Sequence, residues 1–324
     1  MAPPGRVGVV GCGLMGSGIA EVTALAGIPV TVVEVDAEAL ERGRARLRAS
    51  LDRGVERGKI PASRRDEALE GIAWDTRLEA LASAELVVEA VVEDAEVKAE
   101  LFRRLDGVVA PTAVLATNTS ALSVTELAAA TERPERVVGI HFFNPVPVMG
   151  LAEVVATVVT SARALGRAHA FVEAVGKEAL PAPDRCGFLV NRLLVPYILD
   201  AIREVERGLA RVETLDRAMV LGCGHPMGPL TLADYVGIDT LLRIAEVMDR
   251  EFRDPRFAPP PPGLASPLRW GTDEGLTALL GAGTTSIRSE VRTSVQYYRS
   301  VEHAVQVFLT YFGPAVRTHG KISP

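Results

Sequence analysis

The 324-residue chain has no apolar run approaching the roughly 20 residues of a membrane-spanning helix, so a membrane protein is not expected. It has only three cysteines, Cys12, Cys186 and Cys223, too scattered for a disulfide framework or a metal-ligand spacing. Reduced thiols used as small packing residues, and no metal, are expected. A basic excess is also missing: 35 Lys and Arg stand against 41 Asp and Glu, a formal net charge of −6 that excludes general nucleic-acid binding. No apolar segment with a cleavage site follows Met1-Ala2-Pro3-Pro4-Gly5-Arg6, so the cytoplasm is the expected compartment. With 48% hydrophobic and 23% charged residues, the composition is that of a globular protein. The length predicts two domains, because single cores stop growing at about 250–300 residues.

What is present begins with Val7 to Val10, an apolar run that meets Gly11-Cys12-Gly13-Leu14-Met15-Gly16 and then a helical stretch from Ser17 to Ala26. A β-rich run, Pro29 to Val33, ends in Glu34. Strand, glycine turn, helix, strand and acid in this order make a dinucleotide-binding fingerprint. Gly11 is expected to make the tight turn, Gly13 to admit a pyrophosphate and Gly16 to let the helix pack closely, with Leu14 and Met15 opening that helix towards the phosphates. A carboxylate at Glu34 accepts hydrogen bonds from ribose hydroxyls and repels a 2′-phosphate, which favours NAD. Asp36 is its rival, and Glu34 is preferred because it directly ends the β-branched run.

Further along, Glu38 to Leu69 reads as a basic helical pair broken at Gly58-Lys59-Ile60-Pro61. Strands are expected at 86–88, 113–116, 136–140, 153–160 and 177–181, with helices at 96–105, 124–131 and 162–175. The alternation predicts an α/β, Rossmann-type doubly wound parallel sheet with a helical-pair insertion. Ligands of such sheets sit beyond the carboxyl ends of the strands, where Glu93, Asn118, Ser120 and His141 fall. From Gly187 the pattern turns helical, at 188–208, 214–221 and 240–252. The expected division is a nucleotide-binding domain, 1–185, and a smaller all-α substrate and dimerisation domain, 186–324.

Asn118-Thr119-Ser120, His141-Phe142-Phe143-Asn144-Pro145, Leu151-Ala152-Glu153-Val154-Val155 and Gly187-Phe188-Leu189-Val190-Asn191-Arg192 closely resemble the 3-hydroxyacyl-CoA dehydrogenase family. The resemblance starts at the glycine loop, passes through Val87 to Glu93, Gly176-Lys177 and His225 to Leu230, and ends near Phe252. It implies an NAD-dependent, homodimeric oxidoreductase acting on the 3-hydroxyl of an (S)-3-hydroxyacyl thioester such as 3-hydroxybutyryl-CoA. It further implies that His141 is the general base, Glu153 its orienting carboxylate, Ser120 and Asn191 the holders of the substrate oxygens, and Glu34, Glu93, Lys98 and Asn118 contacts of the dinucleotide.

The chemistry asks for the same residue types. Oxidising a secondary alcohol removes a proton from oxygen as hydride leaves carbon, and histidine is the natural base near neutral pH. A carboxylate behind the imidazole fixes its tautomer. Glu153 stands alone in an apolar run, so burial of that strand would oblige it to find a partner. Between Arg42 and Arg65 nine cations face only Asp52 and Glu56, an excess that can meet the phosphates of coenzyme A, with Lys59 as first choice. Two other readings are the same chemistry on an acyl carrier protein, as in extender-unit biosynthesis, and a non-catalytic NAD-binding structural or sensing protein. A decarboxylating hydroxyacid dehydrogenase would need a lysine base where this chain has His141 and Glu153. After Phe252 the chain departs from the family's usual ending. In the divergent tail, 259–324, apolar residues from Ile287 to Phe312 recur at helical spacing, predicting an amphipathic helix that covers the second domain's core.

Overall fold

Short β-branched runs become the centre of one sheet. The computed structural model describes residues 1–252. In it Val7–Val10 forms β1, Val30–Val33 β2, Ile72–Asp75 β3, Leu86–Glu89 β4, Val114–Thr117 β5, Val137–Phe142 β6, Leu151–Ala156 β7 and Glu178–Pro183 β8. Their order across the sheet is β3-β2-β1-β4-β5-β6-β7-β8. Strands β1, β4, β5 and β6 are buried along their whole length, which is why they read as apolar runs, with polar residues only towards the carboxyl ends of β4, β5 and β6, and not as alternating ones.

Six helices cover the two faces: α1 (Leu14–Leu25), α2 (Ala37–Glu56), α3 (Ala62–Glu70), α4 (Ala95–Val108), α5 (Val124–Ala129) and α6 (Ala162–Ala174). Ile19, Leu47, Leu51 and Phe171 of α1, α2 and α6 join one core, and Phe102, Leu105 and Val124 of α4 and α5 join the other. The winding reverses between β1 and β4, which opens the ligand crevice beyond their carboxyl ends. The helical pair expected after β2 is α2 and α3.

The sheet is not wholly parallel, as the sequence reading had it. Strand β7 runs antiparallel to β6, with His141 opposite Glu153 in register. The reason is the link: only residues 143–150 join the two strands, whereas a parallel crossover needs a dozen residues or more. Strand β8 then returns parallel to β7 through α6, so β7 is not an edge. Strand β3 escaped the sequence reading because only Ile72 of its four residues is buried, leaving no apolar run to see.

The chain divides into two compact units, Met1–Leu189 and the part beginning at Val190. The second contains α7 (Val190–Glu206), α8 (Val212–Cys223), α9 (Pro229–Val236) and α10 (Ile238–Phe252). The start of α9 is fixed by Asp216, whose carboxylate accepts the Leu230 and Thr231 N–H groups, each at 2.8 Å, and the Thr231 hydroxyl at 2.6 Å. A Cβ at Gly228 would lie 2.2 Å from the Asp216 Cγ, so only glycine fits that turn. The helix expected between Ile287 and Phe312 lies outside the described residues. Among the described residues no helix is long and apolar enough to cross a membrane.

Asp184, just past β8, plays the same part for α5: it accepts the Val124 N–H at 2.9 Å, the Thr125 N–H at 2.7 Å and the Thr125 hydroxyl at 2.5 Å. Asp184→Ala strands those donors and is expected to lower the unfolding free energy, read by urea denaturation, by about 1–3 kcal/mol.

Candidate active site

The glycine turn links β1 to α1. Gly11 has φ +89°, and a Cβ there would meet the Ala90 carbonyl at 2.7 Å. At Gly16 a Cβ would fall 1.8 Å from the Gly11 carbonyl oxygen, so helix and turn approach as closely as glycine permits. Gly13 differs: it caps α1 from an extended conformation, and a Cβ on it would meet nothing within 4 Å. Open space over a helix N-terminus, where the first N–H groups have no intrahelical acceptor, is the cradle a pyrophosphate requires. Leu14, next to it, is 62% exposed.

Two acids follow β2, and the structure gives them different work. Asp36 caps α2, accepting the Ala39 N–H at 2.7 Å. Glu34 reaches back into the glycine turn, where its carboxylate accepts the Cys12 N–H, and also takes the Val35 N–H at 3.1 Å. Arg46 of α2 donates to the Cys12 carbonyl at 2.8 Å, and burial pushes the Cys12 thiol up to about 12, so it stays a protonated packing group.

A second cluster stands beyond β4 and β5. Lys98 of α4 is 1% exposed, its ammonium 2.5 Å from Glu89 and 3.3 Å from Glu93. Glu89, fully buried at the end of β4, also accepts the Thr117 hydroxyl at 2.8 Å and the Val91 N–H at 2.7 Å. Glu93 accepts the Thr119 hydroxyl at 2.5 Å and the Ser120 N–H at 3.0 Å. Burial pushes the Glu93 carboxyl up, but Lys98, Thr119 and Ser120 outweigh it and hold the group below the usual carboxylate range. Lys98 therefore lies behind Glu93, holding it ionised above acidic pH. Asn118 extends the ladder past β5: its side-chain carbonyl accepts the Phe142 N–H at 2.9 Å, tying the end of β5 to the residue after His141.

His141 stands near the carboxyl end of β6, opposite Glu153 on β7. Its Nδ1 lies 2.7 Å from the Glu153 Oε2; the imidazole side chain is 7% exposed and that of the glutamate not at all. The other Glu153 oxygen, Oε1, accepts the Leu189 N–H at 3.0 Å. Phe143 and Phe188 flank the imidazole, with ring centroids at 4.5 and 5.6 Å. Phe188 is fully buried with φ +45°, a left-handed conformation costly for a side-chain-bearing residue. That bend, after Gly187 at φ +74°, brings the Leu189 N–H to Glu153.

In the first unit the structure therefore gathers Glu93, Asn118, Ser120, His141 and Glu153 at neighbouring strand ends. Asn191 is half-buried on α7, in the second unit. Lys59 is exposed at the turn between α2 and α3. The sequence reading did not single out a role for Glu89, Phe188 or the Leu189 N–H. A clue to Glu89 was present, a carboxylate ending a wholly apolar strand, which burial obliges to be paired.

A sequence profile described as the 3-hydroxyacyl-CoA dehydrogenase NAD binding domain matches residues 6–185, and one described as the C-terminal domain of the same enzymes matches residues 187–266. The chain belongs to the 3-hydroxyacyl-CoA dehydrogenase family. Among its relatives in that family is a 3-hydroxybutyryl-CoA dehydrogenase of Mycobacterium tuberculosis, 53% identical over 258 residues, which are 79% of this chain and 90% of that protein. The mitochondrial hydroxyacyl-coenzyme A dehydrogenase of Sus scrofa is 43% identical over 79% of this chain and 84% of its own. The crystal structure of FadB2 from M. tuberculosis superposes with a TM-score of 0.79 at 52% identity, over 80% of this chain and 92% of that one. That of the (S)-3-hydroxybutyryl-CoA dehydrogenase PaaH1 from Ralstonia eutropha gives 0.76 at 39% identity, over 79% and 90%.

The family's glycine turn yields a prediction that separates fold from ligand. Gly16→Ala is expected to cost about 1–3 kcal/mol in urea unfolding, since its Cβ overlaps the Gly11 carbonyl. Gly13→Ala should leave stability within about 0.5 kcal/mol yet weaken NAD binding, measured by nucleotide fluorescence titration, because its methyl enters the open cradle.

Proposed function

We propose that the protein oxidises the 3-hydroxyl of an (S)-3-hydroxyacyl-CoA, 3-hydroxybutyryl-CoA first among them, to the 3-oxo thioester, with His141 as general base. The observation that carries this reading is the buried His141–Glu153 pair at 2.7 Å, set at the ligand edge of a sheet whose glycine turn fits a dinucleotide. The carboxylate can only accept, so Nδ1 of the imidazole carries the proton and Nε2 keeps a free lone pair for the substrate hydroxyl. As that hydroxyl gives up its proton, the imidazolium that forms is stabilised by Glu153, itself steadied by the Leu189 N–H. The chemistry supplied by bound NAD is acceptance of the hydride from C3. Glu34 and Glu93 are assigned to the adenosine and nicotinamide sides of that ligand, Lys98 and Asn118 to holding its contacts in place, and Ser120 and Asn191 to the substrate oxygens.

The basic segment supports coenzyme A as the carrier. Arg42, Arg44, Arg64 and Arg65 are each paired with a carboxylate, whereas Lys59, like Arg48, Arg53 and Arg57, is exposed and forms no ion pair among the described residues. An exposed charge of this kind contributes modestly, so Lys59→Ala is expected to raise the KM for a CoA ester about two- to fivefold and leave that for the pantetheine ester unchanged. Equal KM values for both esters in wild type and variant would remove Lys59 from the reading.

The base is tested by NADH formation from a panel of 3-hydroxyacyl thioesters. His141→Ala is expected to lower kcat by about 10²–10⁴-fold, with Glu153→Gln lowering it less. Equal rates for wild type and His141→Ala would contradict the mechanism.

A further inference from the structure

Lys177 is a buried cation with no ion pair to a carboxylate among the described residues. It follows the left-handed Gly176 (φ +77°) at the end of α6 and immediately precedes β8. It is 7% exposed, and its ammonium donates to two backbone carbonyls, Val146 at 2.5 Å and Met149 at 2.6 Å. Burial pulls its pKa below the usual lysine value. A neutral group could give two hydrogen bonds at lower desolvation cost, so holding a charge there needs a structural reason in the segment it grips.

That segment is the link between the two strands of the candidate base. Residues 143–150 leave β6 one residue after the strand's end and enter β7 two residues before Glu153. Its first residue, Phe143, lies with its ring 4.5 Å from the His141 imidazole. Its middle rests on α1: Val146 is 2% exposed, and a Cβ placed on Gly18 would be 2.8 Å from the Val146 Cβ and 3.4 Å from the Pro147 Cδ. Its end is tied to β8 by the Glu178 N–H, which donates to the Gly150 carbonyl at 2.7 Å. One ammonium thus fixes the link at two points, between the imidazole on one side and the helix that begins at the glycine turn on the other.

We infer that Lys177 is a positioning residue for the reaction: by clamping residues 146 and 149 it holds Phe143 against His141 and seats the link on α1, so that base and cofactor-binding helix keep a fixed relation. This rests on the reading of His141 as the base. Lys177 touches neither the imidazole nor the glycine turn, and acts through the link alone.

The test compares wild type, Lys177→Met, Lys177→Arg, Gly18→Ala, the Lys177→Met/Gly18→Ala double variant and His141→Ala, all as full-length chains assayed well below their melting temperatures. Lys177→Met keeps the stem and loses the donors. It is expected to lower kcat with 3-hydroxybutyryl-CoA by about 10- to 100-fold, the scale of a small misplacement of a catalytic group, with KM for the thioester changed less than threefold. Lys177→Arg, which can still donate twice, recovers most of kcat. Gly18→Ala pushes the same link from the opposite side and is expected to lower kcat without removing a charge. The double variant then loses less than the product of the single effects, because both act through one segment. Should Lys177→Met not fold, Gly18→Ala and Lys177→Arg still decide the matter: kcat unchanged in Gly18→Ala would overturn the clamp. A fall in melting temperature with kcat unchanged in Lys177→Met would overturn it too, as would multiplicative losses in the double variant. His141→Ala as active as wild type would instead refute the base reading, independently of Lys177.

Discussion

A carboxylate with no solvent exposure costs several kcal/mol unless it is paired and its remaining lone pairs are used. Glu153 meets that constraint with the His141 Nδ1 on one oxygen and the Leu189 N–H on the other. Much of the local architecture can be derived from this requirement. The partner must stand directly across on the neighbouring strand, which the antiparallel return from β6 to β7 provides. The second donor must come from beyond β8, and the left-handed turn at Gly187 and Phe188 delivers it. With Phe143 and Phe188 against its flanks, the imidazole has little rotational freedom, so the orientation of Nε2 is set before any substrate arrives.

The dinucleotide side follows a different principle, that of backbone approach. Gly11 and Gly16 are glycines because the turn and helix touch, whereas at Gly13 an added Cβ would meet no protein atom and the space stays open. Glu34 braces the turn through the Cys12 N–H as well as following β2, so the acid proposed to meet the ribose also stiffens the glycine turn. The Lys98, Glu89 and Glu93 cluster does comparable work beyond β4 and β5: an ion group closed to solvent holds one outward-facing carboxylate in place.

Much of this was legible in the sequence, and what was not has physical causes. Strands buried on both faces announce themselves as apolar runs, so β1, β4, β5 and β6 could be read directly; an isolated glutamate in such a run states its own need for a partner, but that His141 is the partner came from the resemblance to the family. The antiparallel sense of β7 was hidden by the expected strand ends, which left twelve residues between 140 and 153, enough for a crossover; the observed strands leave only residues 143–150. Strand β3 could not be seen, because it borrows its order from β2 and buries only Ile72. The roles of Glu89, Lys177 and Phe188 depend on contacts with residues far along the chain, or on a φ angle that side-chain type does not dictate, and local pattern carries neither.

In the proposed mechanism Glu153 fixes the imidazole of His141 with its proton on Nδ1 and Nε2 free. Nitrogen-15 NMR of the histidine side chains, with His141 identified by substitution, measures this directly. The Nδ1–H tautomer is expected at neutral pH, with a proton resonance shifted far downfield by its hydrogen bond to a carboxylate and lost in Glu153→Gln. An Nε2–H tautomer for His141, or a downfield proton that survives Glu153→Gln, would contradict that mechanism.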